Sequence, residues 1–206
     1  ILLFICDHNP YLANWERDLL TIVHEEAQYF IPQIETKIMN EGWASFWHHR
    51  IVSSLDLPAD LQMEFMVHHA QVVRPHPGSI NPYYLGFKLW HDILRRCENP
   101  TPEERERYGG PCDGMATLMR IREADRDASF LRQFLGGRLM REMDMYEFGP
   151  EDDEYVVQRV ADEDSWRQIR DTLIGTVGMA AFPVIRIDDA DHDGARRART
   201  SHRGGL

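Results

Sequence analysis

The stretch Asn40-Glu41-Gly42-Trp43-Ala44-Ser45-Phe46-Trp47-His48-His49 constrains this chain more than any other. Read as a helix from Thr36 to Leu55, it lines Glu41, Ala44, Ser45, His48 and Val52 along one stripe, while Trp43, Phe46 and Trp47 cover other faces. A helix that is apolar on more than one side is a buried helix, so other elements must pack around it. A carboxylate and an imidazole on such a helix need partners, because an isolated buried charge costs on the order of several kcal/mol. Gly42, Ala44 and Ser45 let a neighbour approach closely, and the preceding helix is the natural candidate across a short turn at Pro32. His24 on that preceding helix would then face Glu41.

Punctuation supplies the rest of the outline. Asn9-Pro10 and Asn81-Pro82 each read as an N-cap followed by proline at the first helical position, where the missing N–H costs nothing. After the first pair, Leu12, Trp15, Leu19, Ile22, Val23, Glu26 and Phe30 recur at helical spacing, which predicts a helix stopped near Pro32. Further helices are predicted from Pro58 or Ala59 to Val73, from Pro82 to Cys97, after the Thr101 cap to Tyr108, and from Met115 to Leu135. Beyond Gly149, strands at Tyr155 to Val157 and Phe182 to Ile187 flank a helix from Ser165 to Ile174. The expected fold is mainly α with a small α+β C-terminal part, its helical core built on buried helices carrying HEEAQYF and NEGWASFWHH. Three regions follow: a helical core domain over 1–149, an α+β extension over 150–190 and a flexible tail over 191–206.

A formal charge of −11 argues against broad contact with nucleic acid or an anionic membrane, both of which require a positive surface. Cys6, Cys97 and Cys112 are odd in number and lack CxxC spacing, so they read as thiols of a reducing, cytoplasmic compartment. The opening Ile1 to Cys6 is apolar but has no basic leader and gives way to Asp7-His8, so it reads as neither signal peptide nor membrane span. It also lacks an initiator methionine, and the arginine-rich stop from Arg196 to Leu206 is abrupt, so both ends are expected to be incomplete. No glycine loop carries the lysine or frame of a phosphate site, and no serine sits in a GxSxG elbow.

Chemistry, where the sequence offers it, lies at His24-Glu25 and at Glu41. A His-Glu pair opening a helical zinc motif continues to a second histidine four residues on, and here that position is Gln28, a poor ligand beside imidazole. Glu41 and His48 are two helical turns apart, about 10 Å along the axis, so one ion is not shared between them. His48 is better placed as a supporting partner, a substrate contact or a ligand of another centre. The competing reading satisfies Glu41 with an arginine or lysine and His48 with a backbone carbonyl. His68 and His69 point about 100° apart and do not serve one centre easily. Beside His91, Asp92 is expected to pair with Arg95 or Arg96. His76, His192 and His202 carry no specific expectation, and the methionines read as core filling.

The run Tyr29-Phe30 with Pro32-Gln33, the phrase Thr36 to Ala44 continuing to Phe46-Trp47-His48, and Ile80-Asn81-Pro82-Tyr83 with Leu85-Gly86-Phe87 resemble the stage V sporulation protein R family. The likeness continues through Asp92-Ile93, Asp127, Ser129 to Arg132 and Arg170-Asp171, and covers roughly residues 7 to 189. It implies a bacterial or archaeal cytosolic protein linked by name to spore cortex formation, with no established reaction. It also implies a further N-terminal region, in full members, bearing its own histidine-rich segment. Pro100 to Asp113 departs from the family pattern as a local insertion.

Glu41-Gly42-Trp43-Ala44 is also similar to the helix that supplies the carboxylate ligand in some zinc metallopeptidases. By that likeness His24 and Glu41 are metal ligands and Glu25 is the base that activates bound water, with His48, His49 or a residue outside this chain completing the set. Gln28, Tyr29, Asn40 and His49 are then the candidate outer or substrate contacts. The implied cofactor is a divalent metal, zinc first.

Two functions from different classes remain open: a metal-dependent hydrolase of peptide or amide bonds, and a non-enzymatic regulatory or scaffolding protein acting through a protein partner. Neither oligomeric state nor partner is specified.

Overall fold

A computed structural model describes residues 1–76, 79–151, 154–182, 184–190 and 198–203. The chain is mainly helical with small β pairings near its C-terminus. It begins with α1 (Leu2–His8), α2 (Asn14–Glu35), α3 (Lys37–Ser54), α4 (Ala59–Val72) and α5 (Pro82–Glu98). It continues through α6 (Pro102–Tyr108), α7 (Gly114–Ala124), α8 (Asp127–Phe134), α9 (Gly137–Glu142) and α10 (Trp166–Ile174). An antiparallel hairpin of β1 (Tyr146–Glu151) and β2 (Glu154–Val160) precedes α10, and β3 (Val184–Ala190) pairs antiparallel with β4 (Ala198–Arg203) after it. The expected tail is therefore strand over 198–203, while 191–197 and 204–206 lie outside the described residues. Among the described residues no helix is long and apolar enough to cross a membrane.

The core is centred on α3 and α5, the two most closely packed helices. They meet where Gly42 lies against Gly86: a Cβ built on Gly42 would stand 2.3 Å from the Gly86 backbone, so only hydrogen fits there. The Trp90 indole donates to the Met39 carbonyl at 3.1 Å, and Trp43 meets Trp90 edge-on with ring centres 5.0 Å apart. Phe46, Leu89 and Trp90 are fully buried, each contributing about 1.5–3 kcal/mol by leaving water. Leu118 of α7, Phe130 and Leu131 of α8, Met140 of α9, and Ile169 and Leu173 of α10 close the same cluster.

Three polar devices set the helix ends. Asn81 accepts from the Tyr83 amide at 3.0 Å, with Pro82 following, as expected of an N-cap. Its amide also donates to the Val72 and Arg74 carbonyls at 2.8 and 2.9 Å, tying the end of α4 to the start of α5. Thr101 and Glu104 form a reciprocal capping box on α6. The third is long-range: the buried Asp127 carboxylate accepts from the Ile38 and Met39 amides, both at 2.9 Å, capping α3 from a position 89 residues away. Asp92, also buried, pairs with Arg95 as well as Arg96, as expected, and with Arg138 in addition.

Three expectations need correction. The helix carrying HEEAQYF is not part of the buried core: α2 has no buried residue, and Trp15, Leu19, Ile22, Val23, Tyr29 and Phe30 are exposed. Its partners are α1 and the 3₁₀ turn at Gly178–Ala181, because the small face of α3 is taken by Gly86. Pro32 lies inside α2 and does not end it. Asn9-Pro10 does not open α2 either; Asn9 closes α1, and its side chain accepts from the Tyr11 amide at 3.0 Å in a turn.

Candidate functional site

The sequence-derived site residues separate into three places. On α2, His24 is half-buried and makes no hydrogen bond or ion pair, and Glu25, Gln28 and Tyr29 are exposed. Tyr29 meets the Phe30 ring edge-on at 5.5 Å. Asn40 donates to the Thr36 hydroxyl at 2.8 Å and faces solvent. The packing of α3 against α5 rather than α2 leaves His24 and Glu41 on elements that are not principal partners.

Glu41 belongs to an open groove of about 710 Å³ that Lys37, Arg74, His76 and Tyr83 also line. The nearby Glu41 carboxylate, and after it burial, hold the Tyr83 phenol above its ordinary pKa. No salt bridge forms from Glu41 to Lys37 or Arg74.

The third place gathers imidazoles from three helices. His48 and His49 end the buried part of α3, His69 stands near the end of α4, and His91 lies in the middle of α5. Ring centres are 5.0 Å apart for His49 and His69, 5.9 Å for His49 and His91, and 6.5 Å for His48 and His69. Phe65 and Phe87 pack between them, Phe65 at 5.6 Å from His69 and Phe87 at 4.5 Å from His91. The Asn81 tie between α4 and α5 sets this spacing, since it fixes where α4 ends relative to α5.

The electrostatics of this cluster follow from its burial. His91 is lowered to about 4, first by desolvation and then by His49, Lys88, Arg50 and His69. His69 is lowered for the same leading reason, with His49 and His48 adding to it. Both rings are therefore neutral at pH 7, each with one nitrogen lone pair to offer. The Nε2 atoms of His69 and His91 are buried with no protein hydrogen-bond partner. Buried polar atoms are ordinarily paired, so two orphans in one cluster are a chemical anomaly.

Such a donor set suits a borderline transition metal. With metal–nitrogen bonds of about 2 Å, imidazoles sharing one ion hold their ring centres roughly 5–6 Å apart. As the side chains are set, no three His, Cys, Asp or Glu among the described residues converge on a single point. Ligation would therefore require rotation of the rings about their own χ angles.

Reading from sequence missed His69 and His91. A signal for them exists: Phe65-x-x-x-His69 and Phe87-x-x-x-His91 repeat one aromatic–imidazole pair at i and i+4 on consecutive helices, which places both members on one face.

Comparison with known proteins fits this architecture to a family. No solved structure matches the chain. The chain is 34% identical over 213 residues to "Uncharacterized protein YcgB" of Escherichia coli (strain K12), a match that takes in 95% of this chain and 41% of that protein. The chain thus spans about two fifths of the length of that relative. A family model described as "SpoVR like protein" matches residues 1–182, α1 through α10 included. On that match the chain belongs to the SpoVR-like family.

Proposed function

We propose that this chain is the metal-binding part of a cytoplasmic, metal-dependent hydrolase of peptide or amide bonds. The ion, zinc first, is held by His49, His69 and His91, with His48 at the rim, and not by His24 and Glu41. The observation that carries this reading is the pair of buried, partnerless Nε2 atoms on His69 and His91. A bound divalent ion lowers the pKa of its water towards neutrality and polarises a substrate carbonyl. The imidazoles supply ligation, and Phe65 and Phe87 exclude bulk water from the rings. Glu41 and Tyr83, in their separate groove, are candidate substrate contacts. The family name's link to spore cortex formation is compatible with an amide-bond substrate in a wall precursor.

The test is metal content by plasma mass spectrometry on the purified chain and on the full-length protein, with four variants checked for folding. About one ion per chain, lost in His69→Gln and His91→Gln and kept in His24→Ala and Glu41→Ala, supports the imidazole site. Loss in His24→Ala and Glu41→Ala instead returns the ion to α2 and α3. Absence of metal from every folded sample after reconstitution overturns the hydrolase reading.

A second reading, a non-enzymatic regulatory or scaffolding protein acting through a protein partner, draws on uncovered apolar surface. Trp15, Ile22 and Phe30 on α2 and Met63, Met66 and Val67 on α4 are all exposed. Metal-free protein whose stability is indifferent to chelators and to added zinc would favour it.

A further inference from the structure

A separate pair of reactive groups lies where α5 ends. Cys97 is buried in the last turn of α5, and Cys112 is exposed just before α7. The Cys112 amide donates to the Cys97 carbonyl at 2.9 Å. With standard backbone bond lengths that contact holds the two Cα atoms within roughly 7 Å, inside the range of about 4.4–6.8 Å or at its edge, where a disulfide closes without strain. The thiols are neighbours as well: burial, and after it the nearby Cys112 thiol, pushes the Cys97 thiol up to about 11, and the Cys112 sulfur lies 3.8 Å from the Thr117 hydroxyl.

Both cysteines line a cavity of about 570 Å³ between α5, α7 and the loop after α6. Most of its charged groups are committed. Arg96 is bound to Asp92 and the Phe134 carbonyl, Glu104 to Arg95, and Asp113 to the Ala116 amide. Arg120 is different: it lines the cavity and makes no hydrogen bond or ion pair among the described residues. A cavity with one exposed thiol, one buried thiol behind it and one uncommitted cation fits a small disulfide that carries carboxylates.

We propose that Cys112 is a modification site for a small anionic disulfide and that Cys97 is its resolving thiol. The Cys112 thiolate attacks one sulfur of the small disulfide, forming a mixed disulfide and releasing one small thiol. The Cys97 thiolate then attacks the Cys112 sulfur, forming the Cys97–Cys112 bond and releasing the second small thiol. Two protein thiols are oxidised and one disulfide is reduced to two thiols, so the exchange balances without another oxidant. The product fastens residues 98–111, α6 and Glu104 included, to the end of α5.

The probe is glutathione disulfide, applied to the folded, reduced chain under native conditions, followed by alkylation and peptide mapping. The expected wild-type product joins Cys97 to Cys112 and leaves Cys6, buried and directed at the Arg17 carbonyl, reduced. Cys97→Ser should stop at a glutathione adduct on Cys112. Arg120→Glu should slow the reaction by about tenfold, while the rate with uncharged hydroxyethyl disulfide stays the same. A glutathione adduct that persists on wild-type Cys112, or one that forms first on Cys6, overturns the resolving pair. Equal rates for Arg120→Glu with both disulfides overturn the anionic specificity.

Discussion

Gly42 of α3 and Gly86 of α5 meet backbone to backbone, so that a Cβ on Gly86 would stand 2.2 Å from the Ile38 carbonyl oxygen and one on Gly42 2.3 Å from Gly86. Neither neighbour is the flexible end of a side chain, so relief requires the helices to part. Gly42→Ala and Gly86→Ala are each expected to cost about 3 kcal/mol or more in urea unfolding, at the top of the range for overpacked cores. Wild-type stability in either variant would show that α3 and α5 do not cross here.

Asp127 caps α3 across the fold, through hydrogen bonds of 2.9 Å to the Ile38 and Met39 amides. Asp127→Ala removes both acceptors in a buried place and is expected to cost about 2–3 kcal/mol. Asp127→Asn keeps one acceptor and should fall between the two. Denaturant midpoints order the three proteins, and equal losses for Ala and Asn would remove the cap from the account.

Glu104 links the chain's stability to acid. Its carboxyl is lowered to about 2, chiefly by the Arg95 guanidinium, with the Thr101 amide also contributing. A carboxyl depressed in the folded state stabilises the fold above its unfolded pKa, and that stability is lost as pH falls through the folded one. Wild type should therefore lose stability between about pH 4.5 and 2, and Glu104→Gln should lose less over the same interval. Parallel unfolding curves for the two proteins across that range would contradict the assignment.

Burial separates α2 from α3 in a way that substitution can read. Phe46 is fully buried, so Phe46→Ala is expected to cost about 3–5 kcal/mol. Trp15 and Ile22 are 66% and 55% exposed, so their alanine variants should shift the stability of this chain by less than about 0.5 kcal/mol. Hydrogen exchange should likewise be faster along α2 than along α3. Large losses from Trp15→Ala would mean that α2 is covered.

Legibility in the sequence followed the range of the forces involved. Local chemistry was readable: the Asn81-Pro82 cap, the Thr101 box, the pairing of Asp92 with Arg95 and Arg96, and the buried character of the Trp43 to Trp47 stretch all lie within a few residues. The small residues of α3 were also recognised as a close-approach face, but not which helix would use it. Periodicity reports that α2 has an apolar stripe and not whether anything covers it, and there the expectation failed. The run Met115 to Leu135 divides at Asp125 and Arg126, where the Arg126 amide binds the Ser129 hydroxyl at 3.0 Å. β1 was not anticipated because Gly149 and Pro150 are poor strand formers. The imidazole cluster draws on four histidines from three helices, a convergence that neither periodicity nor neighbouring residues encode. Only the repeated Phe-x-x-x-His spacing hints at it.

The long-range cap on α3 also fixes an order of events during synthesis. The amides of Ile38 and Met39 leave the ribosome 89 and 88 residues before the carboxylate that binds them. At about 5–20 residues per second, the first turn of the central helix stays uncapped for roughly four to eighteen seconds. Through that interval Trp43, Phe46 and Trp47 lack Phe130, Leu131 and the other distal parts of their core. The central helix is therefore expected to keep its apolar faces open until α8 emerges, and slowing translation between codons 40 and 127 should lengthen that exposure.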